Sequence, residues 1–389
     1  MSDAAVRAVR AVRALIAART PPALAELSPY VPDPTPVPVR LDANEAPALL
    51  PTLDEAERAC LAEALSAVEP ARYPDVRATA LRAAIAGKIG ASGDSLVIGV
   101  GSDEVIAILL AALGRGVDGK PATIVVPAPT FVMYRISARV HGYDVVTVPL
   151  DADWDVDEQG TIDAIRAHRP AVVFLATPNN PTSGAYDLGR VRRIVEAAAR
   201  VDPPSVVVVD EAYLPFRLAE GDPWRGVTGL DLLAESSHVV VLRTLSKIGL
   251  AALRVGWAVA HPLLAAELEK VRLPYNLPTF SQAAAACALG PLAPAIDRHV
   301  ANVCEQRARL LSELRRVDRV RFGRADANFV WLGLEGLGGA EATSALKARG
   351  VLVRNFPAHP DRIRVSVGTR AECDRFLEAL RDTLAGGRA

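Results

Sequence analysis

Short apolar runs alternate with helical segments over residues 96–242, and this alternation limits the folds that the chain can adopt. The runs have the length of strands and lie at 96–100, 123–126, 145–148, 171–176, 205–209 and 238–242. Helical segments between them include 104–113, 134–140 and 188–200. Strands that alternate with helices predict a mostly parallel sheet covered on both faces. Ligands of such sheets bind beyond the carboxyl ends of the strands.

The pattern changes after residue 261. Long helices within 280–316 precede short strands at 329–332, 351–354 and 363–367 and a closing helix. This order predicts a second, smaller α+β domain. We therefore divide the chain into three parts: an N-terminal helix and extended arm at 1–45, a large α/β domain at 46–279 and a small C-terminal α+β domain at 280–389.

The N-terminal part combines a basic helical pattern with a proline-rich arm. Ala-Val-Arg occurs from residues 5, 8 and 11, and prolines stand at alternate positions from Pro32 to Pro38. A transit peptide is also arginine-rich and poor in acidic residues, but it is rich in serine, which this segment is not. We predict a solvated helix, then an extended arm that either crosses to a partner subunit or is a plain semi-rigid linker.

The composition argues against several kinds of partner. The 389 residues have a formal net charge of −1, which does not predict a nucleic-acid partner. No apolar run approaches the roughly 18 residues that a membrane span needs. The four cysteines and six histidines have no metal-ligand spacing. We therefore predict no membrane partner, no metal, and the reduced thiols of a cytoplasmic protein.

The run at 238–242 ends in a polar stretch that contains Lys247. A strand of this composition is normally buried on both faces, so a lysine at its end stands near an apolar interior. Such a position favours the neutral amine, which is the nucleophile of Schiff-base chemistry. A surface lysine just past the end of a strand fits this stretch alone equally well.

Two further polar clusters also follow predicted strands. Residues 99–104, Gly-Val-Gly-Ser-Asp-Glu, form a glycine turn that opens a helix, and a helix N-terminus attracts phosphate. Residues 177–182, Thr-Pro-Asn-Asn-Pro-Thr, present Asn180, whose amide can donate to a phenolate oxygen. Taken singly, the first cluster also fits an ordinary capped helix, and the second fits an Asx turn better.

Another cluster, Asp210-Glu-Ala-Tyr213, ends the run at 205–209. Asp210 ends a fully apolar strand and needs a cationic partner, because an unpaired buried carboxylate is costly. Tyr213 can point the same way from the turn. An Asp-Glu pair can instead hold the metal of a nucleotide hydrolase, but no phosphate-loop lysine motif accompanies this pair.

Together these clusters supply the groups that pyridoxal 5'-phosphate (PLP) requires. Lys247 provides the amine for a Schiff base, and Asp210 provides a carboxylate that keeps the ring nitrogen protonated. Asn180 provides a donor for the phenolate. Donors for the phosphate stand near the same lysine: Thr244, Ser246 and Arg254.

A series of short motifs resembles those of fold-type I PLP-dependent aminotransferases of class I/II, and most specifically of the histidinol-phosphate aminotransferases. The motifs run in order from Leu27 to the C-terminal part: LSPY, LDANE, RYPD, GSDEVI, PAPTFVMY, ATPNNPT, DEAY, RTLSK, PYN, ANF, LVRN and RIRVSVGT. Most are weak singly, but the ordered series is very specific. The resemblance implies a homodimer with the fold-type I PLP-dependent transferase fold, a large domain with a mostly parallel sheet flanked by helices and a smaller α+β C-terminal domain.

The resemblance also implies a role for each residue of the cofactor site. Phe131 stacks on the ring, Asn180 and Tyr213 bond the phenolic oxygen, and Asp210 pairs with the ring nitrogen. The phosphate is bound by the helix start, by donors near the lysine and by a tyrosine of the other subunit: Ser102, Asp103, Thr244, Ser246, Arg254 and Tyr73.

Two arginines are implied to bind the substrates. Arg364 binds the carboxylate of the amino-acid partner, and Arg354 with Tyr30 meets the phosphate end of the other substrate, where Asn44 also belongs to the site. Arginine suits both anions because its planar fork bonds oxyanions bidentately. Without the resemblance, each arginine would fit the solvent face of a strand, and Arg362 lies on the same face as Arg364.

The chain departs from the family pattern at three places. Asn44-Glu-Ala-Pro-Ala lacks the usual Asn-Pro-Tyr-Gly continuation, and Ser183 stands where glycine is usual. Arg254 follows Lys247 by seven positions, where eight is frequent. None of these departures removes a catalytic group, so they bear on the substrate more than on the cofactor.

We therefore predict a PLP-dependent aminotransferase of amino-acid biosynthesis with Lys247, Asp210 and Tyr213 as its catalytic residues. The resemblance implies the histidine-pathway reaction, in which L-histidinol phosphate and 2-oxoglutarate give imidazole-acetol phosphate and L-glutamate. Two alternatives keep the cofactor: an aminotransferase for aromatic or other amino acids, and a decarboxylase for a phosphorylated amino acid such as threonine phosphate. A non-catalytic PLP-binding protein is the third, and the presence of all three catalytic residues argues against it.

Overall fold

The N-terminal helix and the arm precede the sheets. The computed structural model describes residues 3–29, 31–217, 224 and 228–386, so Tyr30 lies outside the described residues. Helix α1 (Asp3–Arg19) covers the Ala-Val-Arg repeats and exposes its apolar side chains. The proline-rich arm leads to the short strand β1 (Val39–Arg40).

A seven-stranded sheet forms the centre of the large α/β part. Its strands in chain order are β2 (Leu96–Val100), β3 (Thr123–Ala128), β4 (Asp144–Pro149), β5 (Val172–Ala176), β6 (Val206–Asp210), β7 (Val239–Thr244) and β8 (Val255–Val259). Their order across the sheet is β2-β8-β7-β6-β5-β3-β4. Only β8 runs antiparallel to its neighbours, so the predicted mostly parallel sheet is confirmed.

Helices cover both faces of this sheet because alternate side chains of each strand point to opposite faces. The helices of this part are α2 (Glu55–Ser66), α3 (Thr79–Ile89), α4 (Gly101–Ala112), α5 (Met133–Val140), α6 (Glu158–His168), α7 (Leu188–Ala199), α8 (Gly229–Glu235) and α9 (Pro262–Glu269). In β6, Val207 and Val209 belong to one buried cluster that includes side chains of α6 and α7, whereas Val208 belongs to another that includes side chains of α4 and α5. These valines are fully buried, and each contributes roughly 1.5–3 kcal/mol of transfer free energy.

The C-terminal part combines helices with a four-stranded antiparallel sheet. Its elements are α10 (Thr279–Leu289), α11 (Ala293–Leu314), β9 (Val320–Phe322), β10 (Phe329–Leu334), α12 (Gly339–Ala348), β11 (Val351–Leu352), β12 (Arg354–Asn355), β13 (Arg362–Ser366) and α13 (Arg370–Gly386). The sheet order is β12-β13-β10-β9. The strand predicted over 351–354 is split in two, because β11 pairs with β1 of the arm while β12 pairs with β13.

Two absences can be stated of the part of the chain that the structure describes. None of its helices has the length and apolar character that crossing a membrane requires. Within the same residues, no group of three or more His, Cys, Asp and Glu side chains is placed to hold a metal ion.

Candidate active site

A cavity of about 810 Å³ lies beyond the carboxyl ends of three parallel strands. The last residues of β5, β6 and β7, which are Ala176, Asp210 and Thr244, form part of its wall. The structure brings together in this cavity the following residues of the predicted site: Asn44, Ser102, Asp103, Phe131, Asn180, Asp210, Tyr213, Thr244, Ser246, Lys247, Arg254, Arg354 and Arg364. Distant stretches of the sequence therefore meet because the sheet is parallel.

Asp210 ends β6 as a buried carboxylate with one protein donor on each oxygen. The backbone N–H of Ala212 donates to Oδ1 at 3.0 Å, and the hydroxyl of Tyr134 donates to Oδ2 at 2.6 Å. Burial raises the pKa of Asp210 to about 6, whereas the two hydrogen bonds and the charge of Lys247 act to lower it. A cation placed against this carboxylate in the cavity would favour its ionised form.

Lys247 stands in a tight kinked turn, Ser246–Leu250, that follows β7 and has non-helical dihedral angles at Ile248 and Gly249. Its side-chain nitrogen lies 5.7 Å from the ring centre of Tyr213, and the residue is half-buried at the cavity wall. Gly249 in the same turn has a φ of +87°, and a Cβ there would lie 3.1 Å from Nε2 of His299. The turn thus requires glycine at this position.

The start of α4 and the loop after β7 form an anion site at one end of the cavity. Nη1 of Arg254 lies 3.4 Å from Oγ of Ser246, and Nη2 lies 3.4 Å from Oδ2 of Asp103. A Cβ at Gly101 would lie 2.5 Å from Nη2 of Arg254, so this glycine admits the guanidinium to the helix start. Free amides at a helix N-terminus, hydroxyls and an arginine are the donors that phosphate prefers.

The hydroxyl of Thr244 lies 3.0 Å from Oγ of Ser246 and 3.0 Å from the carbonyl oxygen of Val255. It therefore bonds within the protein at the edge of the anion site. The shorter spacing between Lys247 and Arg254 is taken up by a 3-10 turn, after which Arg254 adopts a φ of +52°.

Two hydrogen bonds join polar side chains of the predicted site. The amide nitrogen of Asn44 donates to the Tyr213 hydroxyl at 2.9 Å, and Nη1 of Arg364 donates to Oδ1 of Asn180 at 2.6 Å. Since the oxygen of Asn180 accepts from Arg364, its amide nitrogen is oriented to donate elsewhere. The bond from Asn44 uses the acceptor side of the Tyr213 hydroxyl, and the donor roles of Asn180 and Tyr213 toward a phenolate stay predictions.

The two predicted substrate arginines lie side by side on adjacent strands, since Arg354 and Arg364 pair in register. The Arg364 guanidinium lies between two aromatic rings, 5.4 Å from the centre of Phe329 and 5.5 Å from that of Phe356. Arg362 instead packs over the ring of Trp154 at 5.4 Å. The two arginines of this strand therefore have different surroundings, and of the two it is Arg364 that lines the cavity.

Ser183, which stands where the family has glycine, has a φ of +67°. Its hydroxyl donates to the carbonyl oxygen of Phe329 at 2.6 Å and is fully buried. The positive φ explains why glycine is usual here, and the hydrogen bond offsets part of the strain of a serine.

Tyr73 is the one predicted site residue of the described chain that does not line the cavity. It is 82% exposed and stacks on Tyr275, with ring centres 4.8 Å apart. Its contribution to the site of a partner subunit stays a prediction. Tyr30 lies outside the described residues, and Ser28, Pro29 and Val31 line the cavity.

Glu211 does not face the cavity. Its carboxylate accepts hydrogen bonds from Nε and Nη2 of Arg243 at 3.0 and 2.9 Å, and both side chains are buried. The alternative that Asp210 and Glu211 hold a metal is therefore wrong for Glu211, which is satisfied by an arginine instead.

Sequence reasoning assigned no role to three aromatic residues of the site: Tyr134, Phe329 and Phe356. Tyr134 stands three positions after Phe131, about one helical turn on, and their rings meet edge to face at 5.5 Å. Residues three positions apart are neighbours on a helix, so this spacing indicates that Tyr134 lies close to Phe131. The contact of Tyr134 with Asp210 joins residues 76 positions apart, and no local pattern reveals it.

The cavity fits pyridoxal phosphate on these observations. It offers an amine, a buried carboxylate for a ring cation and an anion site where a glycine Cβ would collide with Arg254. Oδ1 of Asn44 is also buried with no hydrogen-bond partner among the described residues. A cofactor with one cationic nitrogen, one phenolate and one phosphate matches this set of donors and acceptors.

Comparison with known proteins gives a consistent result. The chain matches the family model of aminotransferase class I and II over residues 37–380. It is 39% identical over 357 residues to a histidinol-phosphate aminotransferase of Paracidovorax citrulli (strain AAC00-1), covering 89% of this chain and 92% of the relative.

Solved structures agree on the fold. The histidinol-phosphate aminotransferase of Sinorhizobium meliloti in complex with pyridoxal-5'-phosphate superposes with a TM-score of 0.79 at 22% identity, covering 95% of this chain and 98% of that one. The L-threonine-O-3-phosphate decarboxylase of Porphyromonas gingivalis gives a TM-score of 0.71 at 19% identity, covering 89% and 99%. Fold alone therefore does not separate the two reactions.

Proposed function

The chain belongs to the aminotransferase class I and II family, and on this basis we propose that it transfers the amino group of L-histidinol phosphate to 2-oxoglutarate. The products are imidazole-acetol phosphate and L-glutamate, a step of histidine biosynthesis. The predicted fold, the fold-type I PLP-dependent transferase fold, is confirmed. One observation carries the proposal: a single cavity holds Lys247, Asp210 and the neighbouring arginines Arg354 and Arg364.

The cofactor is pyridoxal 5'-phosphate, which when bound supplies a carbonyl for the substrate amine and an electron-withdrawing ring. Asp210, whose buried carboxylate lines the cavity, would hold the proton on the ring nitrogen. Phe131 would pack against the ring, and Asn180 and Tyr213 would donate to the phenolic oxygen. At one end of the cavity, Ser102, Asp103, Thr244, Ser246 and Arg254 would hold the phosphate.

Lys247 moves the proton of the reaction. Its amine would take the proton from the substrate carbon that bears the amino group, acting as base, and would then give a proton back, acting as acid. Two features support this role. Its side chain borders the cavity with its nitrogen 5.7 Å from the centre of the Tyr213 ring, and its backbone lies in a tight turn that contains Gly249 at a positive φ.

Arg354 and Arg364 divide the two substrates between them. Arg364 binds the carboxylate of glutamate or 2-oxoglutarate, a group that histidinol phosphate lacks. Arg354 and Tyr30 bind the phosphate of histidinol phosphate, and Asn44, which donates to the Tyr213 hydroxyl, is a further substrate-binding residue. The adjacent strands carry two fixed cations into one cavity, and this supports a site that takes two differently shaped anions in turn.

We also propose a homodimer in which Tyr73 of one subunit reaches the phosphate in the site of the other. Tyr73 and Tyr275 stack on each other and are exposed, and the apolar side chains of Val76, Leu273 and Phe280 are exposed as well. A large exposed apolar surface is typical of a protein interface. The division into an arm, a large domain and a small domain stays a prediction, as does the cytoplasmic location.

A steady-state assay tests the proposed reaction. Purified enzyme loaded with PLP receives 2-oxoglutarate and one amino donor, either L-histidinol phosphate, L-phenylalanine or O-phospho-L-threonine, and glutamate and carbon dioxide are measured. We expect glutamate from histidinol phosphate and none from a Lys247→Ala variant. Glutamate from phenylalanine alone would assign the enzyme to aromatic substrates. Carbon dioxide from phosphothreonine would assign it to decarboxylation.

A further inference from the structure

We propose that Tyr134 is a positioning residue that keeps Asp210 ionised and aimed at the ring nitrogen of the cofactor. This inference rests on the proposed function, because it takes Asp210 as the partner of that nitrogen. Tyr134 is the last residue of the motif PAPTFVMY, which by itself predicts no role for it.

The hydrogen bond between the two residues is short and shielded from water. The Tyr134 hydroxyl donates to Oδ2 of Asp210 at 2.6 Å, and the side chains are 1% and 5% exposed. The other oxygen, Oδ1, accepts from the backbone N–H of Ala212. Donors on both oxygens favour the charged carboxylate over the neutral acid, and they also fix the plane of the carboxyl group.

Neighbouring rings prevent the Tyr134 side chain from turning away. Its ring stacks on Phe174 of β5, with centres 4.6 Å apart and planes at 10°. Its other neighbour is Phe131, which it meets edge to face at 5.5 Å with an angle of 85°. Tyr134 therefore contacts both the predicted partner of the ring nitrogen and the ring predicted to pack on the cofactor.

Burial and the neighbouring charge of Asp210 keep the Tyr134 hydroxyl protonated, so that it stays a hydrogen-bond donor. Burial, followed by the charge of Asp210, holds the pKa of Tyr134 well above its usual value, and Tyr186 and Tyr213 act in the same direction. Its hydroxyl thus keeps its proton across the working pH range and does not serve as an acid or base. The pKa of Asp210 is raised by burial and by the charge of Asp103. The hydrogen bond from Tyr134 acts against burial and lowers this pKa, as does the charge of Lys247.

The test removes only this hydroxyl. Tyr134→Phe keeps the stacked ring, and Tyr143→Phe is the matched control, because Tyr143 is also buried and donates at 2.6 Å, to the carbonyl oxygen of Leu110. The dissociation constant of PLP is measured for the wild-type apoprotein and both variants from pH 5.5 to 8.5. The readout is the pH at which binding weakens on acidification.

We expect this midpoint to rise by about one pH unit in Tyr134→Phe, because a carboxylate that loses a buried donor binds a proton more tightly. The variant then binds PLP roughly fivefold more weakly than the wild type near pH 6, and the ratio approaches about tenfold at lower pH. Tyr143→Phe leaves the midpoint unchanged even if it lowers Tm. In an Asp210→Asn background, Tyr134→Phe has no effect on the midpoint, because the group through which Tyr134 acts is gone.

An unshifted midpoint in Tyr134→Phe, equal to that of Tyr143→Phe, overturns the proposal. Failure of the wild type to bind PLP at all would instead reject the proposed function. If Tyr134→Phe does not fold by circular dichroism, a carbon NMR titration of the wild-type apoprotein replaces it. In that titration the chemical shift of the Tyr134 ring must change at the same pH as that of the Asp210 carboxyl carbon, whose signal is assigned with the Asp210→Asn variant. Changes of the two signals at different pH values would reject the inference.

Discussion

The guanidinium of Arg364 donates a 2.6 Å hydrogen bond to the side-chain oxygen of Asn180, which joins the substrate end of the cavity to the cofactor end. The bond fixes the orientation of the Asn180 amide, with its oxygen toward Arg364 and its nitrogen turned away from the guanidinium. Arg364 also donates to the backbone oxygen of Asp42 at 2.7 Å. A change at this arginine therefore affects one substrate directly and the cofactor through Asn180.

Arg364→Lys should separate the two substrates. A lysine cannot form the two parallel hydrogen bonds of a guanidinium to a carboxylate, and one charge-assisted bond contributes about 1.5–3 kcal/mol. We expect KM for 2-oxoglutarate to rise by about 10- to 100-fold, with a much smaller change in single-turnover reaction with histidinol phosphate. Equal losses for both substrates would contradict the assignment of Arg364 to the carboxylate.

The apoprotein should lose stability as the pH rises past the pKa of Asp210. Burial raises that pKa to about 6, whereas an unfolded aspartate has a pKa of about 3.9. The folded chain therefore holds a proton that the unfolded chain releases. This contribution, about 3 kcal/mol in all, is fully present below about pH 4 and is lost as the pH rises through about 6.

Urea unfolding of apoprotein and of Asp210→Asn from pH 4 to 7 measures this contribution. The stability of the wild type relative to the variant should fall over that range. His299 also has a lowered pKa through burial, so its effect on stability has the opposite sign, but it cancels in the difference. A difference that does not change with pH would mean that Asp210 is not held neutral in the apoprotein.

Gly249→Ala should impair the enzyme more than a matched glycine change. Gly249 and Gly142 both have a positive φ, +87° and +80°, but only at Gly249 would a Cβ meet other atoms within 4 Å. Each alanine costs about 1–2 kcal/mol of backbone strain. Gly142→Ala should keep full kcat, whereas Gly249→Ala should lower kcat by about tenfold or more, because it displaces the turn of Lys247. Equal kcat values for the two variants would contradict this role of the turn.

Mixed dimers test whether Tyr73 acts in the site of the partner. Subunits with Tyr73→Ala and with Lys247→Ala are each expected to be nearly inactive, but their hybrid has one site with both residues intact. Refolded mixtures should recover about a quarter of wild-type activity, since half of randomly paired dimers are hybrids. Mixtures of Lys247→Ala with Asp210→Asn should recover nothing, and recovery there, or none with Tyr73→Ala, would contradict the shared site.

The sequence predicted the central sheet and most of the cavity wall for one physical reason. Parallel strands bring their carboxyl ends to one edge, so polar clusters after separate strands must meet, as Asp210 and Lys247 do. The two arginines came from the family resemblance, because an arginine in a short strand carries no sign of which side it faces.

Contacts between distant segments could not be predicted. The bond from Tyr134 to Asp210 and the ion pair of Arg243 with Glu211 depend on how helices and strands pack, and a local pattern does not contain that. The split of the strand at 351–354 has the same cause, since β11 finds its partner in the arm at Val39.

The most direct test of the central claim is a half-reaction without any keto acid. Purified yellow enzyme is mixed with L-histidinol phosphate, and the visible band of the lysine-linked cofactor is followed, with L-phenylalanine and O-phospho-L-threonine in parallel. The account predicts rapid bleaching with histidinol phosphate and release of imidazole-acetol phosphate. Bleaching by phenylalanine alone, lasting colour with carbon dioxide release from phosphothreonine, or a colourless protein that takes up no PLP would contradict it.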